Sequence, residues 1–328
     1  MDIREFTVDE TGTVAAVVEL VNAARKVDSP FSHPETVSTY SGMLRYGWDG
    51  DTPRTFAAWD SGSLAGLVQL FVSDWDNPHL AWAGFVVHPD MRRRGVGARL
   101  LEFAKEQARA MGRTSMGCDG WDIDAANGFA ARHGLPRKGS AINRRQVLAA
   151  VDRQVLETLC DEAAAAAAPY DLLRIVGRTP EEMLDAVAEM TAAINDAPTD
   201  DLDIEDEIFP TERIVAYETA QQAKGNRMYR VIARRRSTGE LAGHSVVAVE
   251  SERPTIGDQH DTSVVRAHRG HRLGLLLKAD MLRWLAEVEP GLETIDTWNA
   301  ESNDHMIEVN EKLGYQVLGR ELQFQISL

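Results

Sequence analysis

Cysteine is scarce in this sequence: Cys118 and Cys160 are too few for a disulfide framework and form no metal-ligand cluster. Basic residues are also in deficit, with 35 lysines and arginines against 51 aspartates and glutamates and a formal net charge of −16. This charge argues against a nucleic-acid partner, because neutralising phosphates needs an excess of lysine and arginine. It suits a protein whose small-molecule partner is cationic.

Long apolar runs are missing as well, since no segment approaches the roughly 20 residues needed to span a bilayer. The first ten residues, MDIREFTVDE, carry too many charges for a signal peptide. The sequence therefore predicts a cytoplasmic protein with no membrane partner. It is expected to be a monomer or a homodimer.

Two stretches of the chain share one plan. In VVHPDMRRRGVGARLLEF, arginines and glycines stand between an apolar run and a helical pattern, and TSVVRAHRGHRLGLLLKAD repeats this order. Arg269 follows Arg92 by 177 positions, and Gly274 follows Gly97 by the same number. A chain of 328 residues is long enough for two domains of about 150 residues each. The spacing predicts a duplicated domain.

The order of predicted elements supports the duplication, because each half reads as strand, helix, hairpin, strand, arginine-glycine loop and helix. Between the halves, Asp152 is a predicted N-cap, an alanine run covers residues 163–168, and Pro169 ends the helix. We expect a domain at 1–150, a helical linker at 151–169 that holds the domains at fixed spacing, and a domain at 170–328.

The repeated loop has the features of an anion site. A strand that leads through a glycine-containing turn into a helix presents backbone N–H groups at the positive end of that helix. Glycine allows a phosphate to approach the backbone closely, and Arg92, Arg93 and Arg94 add charge. The dinucleotide fingerprint G-x-G-x-x-G does not fit, because Leu100 stands at its third glycine.

The loop resembles the Arg/Gln-x-x-Gly-x-Gly/Ala signature of the GNAT-type N-acetyltransferases. Arg92, Gly95 and Gly97 match it in full; in the second half Arg269 and Gly274 match, but Arg272 stands where the first glycine is expected. The resemblance implies an α/β fold of two tandem GNAT domains, each a mixed, mostly antiparallel sheet flanked by helices. It implies no metal.

The resemblance also implies that the loop holds the pyrophosphate of acetyl-CoA, the co-substrate, while the preceding strand pairs with the pantetheine arm. A second family motif, Asn-x-x-Ala-x-x-x-Tyr on a helix, places Asn303 and Asn310 in the second half and Ile123 and Ala130 in the first. The implied acetyl-CoA contacts are Val86, Val87, Arg92, Arg93, Arg94, Gly95, Val96, Gly97, Val264, Val265, Arg269, Gly270, His271, Arg272, Gly274 and Asn303.

The candidate acid-base groups lie in the second half. Its stretch GDQHDTSVV offers Asp258, His260 and Asp261 as bases, whereas HLAWAGFVV in the first half has no carboxylate and only a surface-type His79 at its far end. The reference pKa of His260 is nearest to neutrality, and Asp261 needs burial or a like-charge neighbour to raise its pKa. The sequence leaves the choice open, including the alternative that both only brace the sheet.

Two asparagines complete the predicted site. Asn310 replaces the tyrosine of the motif and can donate a hydrogen bond near the thioester sulfur, and Asn299 ends the strand TIDTW as a carbonyl or substrate contact or a turn cap. The acidic run DAPTDDLDIEDE, residues 196–207, either docks an amine-bearing acceptor or is a solvated loop.

The predicted function is acyl transfer from acyl-CoA to a primary amine of a small molecule, with catalysis in the second domain. The alternatives are a non-catalytic CoA-binding sensor or scaffold, and catalysis in the first domain.

Overall fold

The computed structural model describes all 328 residues, which form twelve strands and nine α-helices joined by loops and short 3₁₀ turns. The elements of the first half are β1 Asp2–Glu5, α1 Thr11–Asp28, α2 Val37–Tyr46, β2 Arg54–Asp60, β3 Ser63–Phe71, β4 Leu80–Val87, α3 Val96–Ala110, β5 Ser115–Trp121 and α4 Asp124–Arg132. Those that follow are β6 Arg137–Val147, α5 Arg153–Ala166, β7 Tyr170–Val176, α6 Leu184–Thr191, α7 Thr211–Ala223, β8 Asn226–Arg235, β9 Leu241–Glu250, β10 Ile256–Val264, α8 Leu273–Val288, β11 Thr294–Ala300, α9 Asp304–Lys312 and β12 Gln316–Ser327.

The chain folds into two compact units. Unit 1 comprises residues 1–141, 199–206 and 319–328, and unit 2 comprises residues 142–198 and 207–318. In unit 1, strands β1 to β4 pair antiparallel in sequence order, β4 pairs parallel with β5, and β12 pairs antiparallel with β5. One face of this sheet packs against α3 through Leu100 and Leu101, and the other against α1 through Val14 and Val17.

Unit 2 repeats this arrangement. Strands β7 to β10 pair antiparallel, β10 pairs parallel with β11, and residues 142–147 of β6 lie beside β11. Its core is built around α8, where Leu277 and Leu285 are completely buried. Each unit is thus a mixed, mostly antiparallel sheet flanked by helices, which confirms the predicted fold class.

The last strand of each unit comes from the other half of the chain. The strand that follows α4 is β6, and most of it lies in unit 2; the strand that follows α9 is β12, and most of it lies in unit 1. This division differs from the predicted boundary at residue 150. The physical reason is that the local pattern of a strand does not specify which other strand it pairs with, so the sequence alone does not assign β6 and β12 to a sheet.

The segment predicted as a linker is a helix, α5, and Asp152 is its N-cap, accepting hydrogen bonds from the backbone N–H groups of Gln154 and Val155 at 2.8 and 3.1 Å. The helix is part of unit 2 and packs against α8, with Cys160 and Ala163 buried in the core. Its alanines therefore serve close packing of two helices, which the interpretation as a spacer did not include.

The acidic run is divided between the units. Residues 199–206 belong to unit 1, where the backbone N–H of Asp203 donates to Gln325 at 2.7 Å and that of Glu205 donates to Asn77 at 2.7 Å. His79 contacts the backbone oxygen of Asp203 at 3.2 Å. Residues 199–206 are thus anchored in unit 1, whereas the two ends of the run belong to unit 2, where Asp196 pairs with Arg266 and Arg269 of the loop.

Candidate functional site

In each unit, two parallel strands pair at one end and then part. The pairing of β10 with β11 ends at Asp258 and Asp296, and that of β4 with β5 ends at Ala83 and Cys118. Beyond these points the facing edges of β10 and β4 have no strand partner. The predicted pantetheine contacts Val264, Val86 and Val87 lie on these open edges, and Val265 follows directly after the end of β10. An extended ligand can add to such an edge as a further strand.

A β-bulge distinguishes β10 from β4. The register of β10 against β9 shifts between Gln259 and Asp261, so that His260 is an extra residue. The side chain of Gln259 donates to the carbonyl oxygens of Val246 and Asp261 at 2.7 and 3.1 Å, which satisfies backbone groups that the bulge exposes. The bulge places Asp261 on the same sheet face as Asp258, on the side covered by α6 and α7.

Asp258 lies at the point where the strands part. Burial, together with the neighbouring carboxylates Asp296 and Glu250, raises its pKa to about 7. Asp296 is itself held by Arg145, with two N–H···O contacts of 2.6 and 2.7 Å. The side chain of Asp258 is only half-buried, so it keeps access to solvent while its pKa lies near neutrality, as a general base requires.

His260 has a different environment. Burial lowers the pKa of its imidazole to about 3, with a smaller contribution from Lys224. Its Nδ1 lies 2.6 Å from the hydroxyl of Tyr217, whose pKa burial raises well above the usual range. The phenol therefore keeps its proton and donates it to Nδ1. A histidine with this pKa is a weak base near neutral pH, so the structure does not favour the predicted role of His260.

Asp261 forms a pair with His244, a residue that the sequence analysis did not identify. The distance from His244 Nε2 to Asp261 Oδ2 is 2.6 Å, and the histidine side chain is only 2% exposed. His244 Nδ1, Asp261 Oδ1 and the hydroxyl of Ser263 on the same face have no hydrogen-bond partner. Buried polar atoms are normally paired, so these three are available to a ligand. His244 could have been identified from the sequence, because a histidine inside the apolar strand LAGHSVVAVE is unusual.

The first arginine of each loop has a structural partner. Arg92 donates two hydrogen bonds to the carboxylate of Asp28, at 2.8 and 2.6 Å, and a third from Nε to the carbonyl oxygen of Val87. Arg269 donates one hydrogen bond to Asp196, which also accepts from Arg266, and one from Nε to the carbonyl oxygen of Val264. Both guanidinium groups therefore fix the loop to the end of a strand and a neighbouring helix, and their predicted role as phosphate ligands lacks support here.

The two loops have the same backbone shape although their glycines differ. Positive φ angles occur at Arg93 and Gly95 in unit 1, and at Gly270 and Arg272 in unit 2, immediately before the helix. The side chain of Arg272 points towards α5, where it meets Glu162 at 3.2 Å, and both side chains are more than half exposed. Arg272 thus adopts the left-handed conformation of the missing glycine without filling the loop.

The space above the helix N-terminus differs between the units. A Cβ at Gly97 would meet the ring of Phe129 at 3.0 Å, whereas a Cβ at Gly274 has its nearest neighbour, His305 Nε2, at 3.9 Å. Gly95 and Gly270 face open space. The N-terminus of α8 therefore has more free space for a phosphate than the N-terminus of α3.

Of the other predicted acetyl-CoA contacts in unit 1, Arg94 is exposed and Val96 is buried in the core.

Two further predicted contacts in unit 2 have structural roles. His271 packs against the ring of Tyr170 with the centroids 5.4 Å apart. Asn303 is the N-cap of α9, where its Oδ1 accepts from the backbone N–H of Met306 at 3.2 Å. Its counterpart Ile123 cannot cap α4. The asparagine of the motif therefore stabilises the start of the helix that carries Asn310.

Asn299 and Asn310 lie on the opposite face of the sheet, towards α8 and α9, and the structure brings them together. The amide of Asn310 donates to Asn299 Oδ1 at 3.2 Å, and Asn310 Oδ1 accepts from the ammonium of Lys278 at 2.7 Å. Asn299 Oδ1 also accepts from Arg144 at 3.1 Å. Lys278 and Arg144 join these asparagines in one network, which the sequence analysis did not predict.

Unit 1 has carboxylates that its β4 sequence does not reveal. Asp119 on β5 accepts from the indole N–H of Trp82 at 2.8 Å, and burial raises its pKa. On β12, burial and the charge of Asp119 raise the pKa of Glu321 to about 8. Both face the α1 side of the sheet, beyond the point where β4 and β5 part. The expectation that unit 1 lacks acid-base groups therefore holds for β4 alone.

No group of three or more His, Cys, Asp or Glu side chains in the chain is arranged to hold a metal ion. No helix combines the length and the apolar character that crossing a membrane requires.

Sequence comparison identifies a match to the acetyltransferase (GNAT) family over residues 16–135. The chain is also similar to mycothiol acetyltransferase of Sanguibacter keddieii, with 36% identity over 142 residues. This match covers 41% of the chain and 42% of the relative, so the chain spans less than half the length of that enzyme.

Comparison with solved structures finds similar folds over nearly the full length of this chain. A tandem GNAT protein from the clavulanic acid biosynthesis pathway superposes with a TM-score of 0.81 and 25% identity, covering 99% of this chain and 98% of that one. A GCN5-related N-acetyltransferase from Sphaerobacter thermophilus gives a TM-score of 0.69 at 15% identity over 99% and 95% of the two chains. N-myristoyltransferase of Saccharomyces cerevisiae gives 0.61 at 12% identity over 99% and 80%.

Proposed function

We propose, because residues 16–135 match the GNAT acetyltransferase family and the whole chain superposes on a tandem GNAT protein, that the protein transfers an acetyl or short acyl group from acyl-CoA to a primary amine of a small molecule. The reaction takes place in unit 2. The observation that carries this proposal is Asp258, a carboxylate with its pKa raised to about 7 at the parting of β10 and β11.

Asp258 acts as the general base. Acyl transfer to an amine needs the nitrogen lone pair, so a proton must leave the ammonium form of the acceptor. A carboxylate with a pKa near 7 takes this proton and remains largely ionised at slightly alkaline pH. Asp261 and His244 hold each other in place beside it and offer polar atoms to the acceptor.

The loop of unit 2 binds the acyl-CoA. Gly270 and Gly274 leave its backbone approachable, and the first turn of α8 presents unpaired N–H groups to a pyrophosphate. The open edge of β10 is suited to the amide groups of an extended pantetheine arm. The corresponding loop of unit 1 has less free space, because a Cβ at Gly97 would meet the ring of Phe129 at 3.0 Å.

The acceptor is a polar amine with hydrogen-bonding groups besides the one that reacts. His244 Nδ1, Asp261 Oδ1 and Ser263 Oγ are buried and unpartnered on one face, so they match an acceptor that both donates and accepts hydrogen bonds. Aminoglycosides, amino sugars and polyamines belong to the amines that fit such a surface.

The experiment measures acetyl-CoA-dependent thiol release with aminoglycosides, amino sugars, polyamines, amino acids and peptide N-termini. We expect turnover with one of these classes and a decrease in kcat of about 100-fold to 10,000-fold in Asp258→Asn. Asp119→Asn is the matched control, because Asp119 is a desolvated aspartate on the corresponding strands of unit 1 and its replacement is expected to leave turnover unchanged.

Two results contradict the proposal. If Asp119→Asn alone abolishes turnover while both variants remain folded, the reaction belongs to unit 1. If no acceptor supports turnover although acetyl-CoA binding is confirmed by calorimetry, a CoA-binding sensor or scaffold is the better description.

A further inference from the structure

We propose that Trp298 and Asp261 form a cation subsite in unit 2, in the cleft that opens where β10 and β11 part, and that this subsite binds the acceptor as an alkylammonium ion. The inference rests on the proposed function, because it names the charge and the chemical class of the acceptor. It favours a strongly basic alkylamine, which is protonated at neutral pH, over weakly basic amines. Trp298 belongs to neither of the sequence motifs.

The register of the strands brings the two side chains to the same level. Asp258 and Asp296 are partners in the last pair of β10 and β11. Trp298 lies two residues beyond Asp296, so it is on the same face of β11. Asp261 lies three residues beyond Asp258, but His260 is the extra residue of the bulge. The bulge therefore sets the carboxylate of Asp261 across the cleft from Trp298, on the face that carries Asp258.

Both side chains of the cation subsite are accessible to solvent. Trp298 is 46% exposed, and the side chain of Asp261 is 20% exposed. A single exposed tryptophan needs no functional explanation. Trp298 is distinguished by its position, because it lies just beyond the last strand pair and beside the candidate base. The face of an aromatic ring attracts cations, and tryptophan does so more strongly than tyrosine or phenylalanine.

Asp261 supplies the negative charge of the subsite. Its carboxylate forms no ion pair with a lysine or an arginine, whereas Asp296 is paired with Arg145. The buried His244 holds one carboxylate oxygen, with Nε2 2.6 Å from Oδ2, and Oδ1 has no hydrogen-bond partner. Asp261 is thus fixed in orientation and able to accept a charge-assisted hydrogen bond from an ammonium group.

The charges around the cleft also favour a cation. Burial and the carboxylates of Asp296 and Glu250 raise the pKa of Asp258 to about 7, against the smaller opposing effects of Arg253 and Arg145. The potential inside the cleft is therefore negative, and the net charge of −16 on the chain has the same sign. An alkylammonium ion that enters the cleft meets a carboxylate on one side and an aromatic ring on the other.

Unit 1 lacks this pair at the corresponding level. Its last strand pair on the equivalent face is Trp82 with Gly117, and the next residues on that face are Gly84 on β4 and Asp119 on β5. Gly84 has no side chain, and the carboxylate of Asp119 accepts from the indole of Trp82. The fold of a unit therefore does not require a tryptophan where Trp298 stands, and a role in binding explains its presence.

The test measures the binding of n-butylammonium and of 1-pentanol, a neutral molecule of similar length, by saturation-transfer NMR at neutral pH without acyl-CoA. We expect the wild-type protein to bind the ammonium ion at least about tenfold more tightly than the alcohol. Trp298→Leu should weaken ammonium binding about fivefold, and Asp261→Asn about tenfold. Trp298→Phe should keep most of the affinity, because an aromatic ring remains.

Trp48→Leu is the control, because Trp48 is 52% exposed but lies in unit 1, and this variant should bind n-butylammonium as the wild-type protein does. Circular dichroism checks that each variant is folded. The inference is overturned if the wild-type protein binds the ammonium ion no more tightly than 1-pentanol, or if Trp298→Leu or Asp261→Asn keeps the wild-type affinity. Binding does not depend on turnover, so ammonium binding without activity towards any amine would reject the acyl transfer and retain the subsite.

Discussion

Arg92 and Asp28 form a bidentate ion pair that fixes the loop of unit 1 to the end of α1. Their side chains are 25% and 21% exposed, and the Nε of Arg92 also donates to the carbonyl oxygen of Val87. In unit 2, Asp196 accepts one hydrogen bond from Arg269 and also binds Arg266, and the Nε of Arg269 donates to the carbonyl oxygen of Val264. The arginine present in both loops therefore fixes the loop to a neighbouring helix and strand. The backbone N–H groups of the loop remain available to bind a ligand.

Asp28→Asn is expected to lower the free energy of unfolding by about 1 kcal/mol, because one partner of a charge-assisted, partly buried pair is lost. Denaturant unfolding followed by circular dichroism measures this change. Asp90→Asn is the control, since the side chain of Asp90 is 89% exposed and 4.0 Å from its nearest partner. Equal stability of the two variants would show that the Arg92–Asp28 pair contributes nothing.

The activity of the protein should increase with pH through about 7. Asp258 accepts a proton only when it is ionised, and burial with the nearby carboxylates raises its pKa to about 7. The acidic limb of kcat/KM against pH measures this pKa in the free enzyme. Asp296→Asn removes one of the neighbouring negative charges, so it should move the acidic limb to lower pH. An unchanged limb in that variant would assign the base to another residue.

Lys278 should make stability depend on pH in the alkaline range. Burial lowers its pKa from 10.5 to about 7 in the folded protein. Between these values the unfolded chain binds the proton and the folded chain does not, so stability increases as the pH rises from about 7 towards 10. Thermal unfolding at several pH values should show this increase in the wild-type protein. The increase should be smaller in Lys278→Met. If stability depends on pH in the same way in both proteins, the pKa of Lys278 is not the cause of the increase.

The two loop glycines should respond differently to alanine. Gly97→Ala brings a methyl group within 3.0 Å of Phe129, so we expect a loss of stability. Gly274→Ala has 3.9 Å of space and lies in the first turn of α8, so stability should be equal or higher by up to about 1 kcal/mol. Acyl-CoA affinity should nevertheless decrease in Gly274→Ala, which calorimetry would detect. Unchanged affinity would remove the loop of unit 2 from the binding site.

Comparison of the two halves of the sequence could have revealed more of the site. The offset of 177 aligns Lys278 with Leu101, and a lysine in the apolar run LGLLLKADML is a visible departure. His244 is a similar departure within an apolar strand. Their partners could not be predicted, because the contact of Lys278 with Asn310 and that of His244 with Asp261 depend on how separate elements pack.

The sequence by itself determined the duplication, the fold class, and the positions of the two loops, because these follow from local patterns of apolar residues, glycine and arginine. Only the tertiary structure decided that β6 and β12 complete the sheets of opposite halves, since the local pattern of a strand does not specify its partner strand. It also decided that the pKa of Asp258 lies near neutrality. That property depends on burial and neighbouring charges, which a linear sequence does not specify.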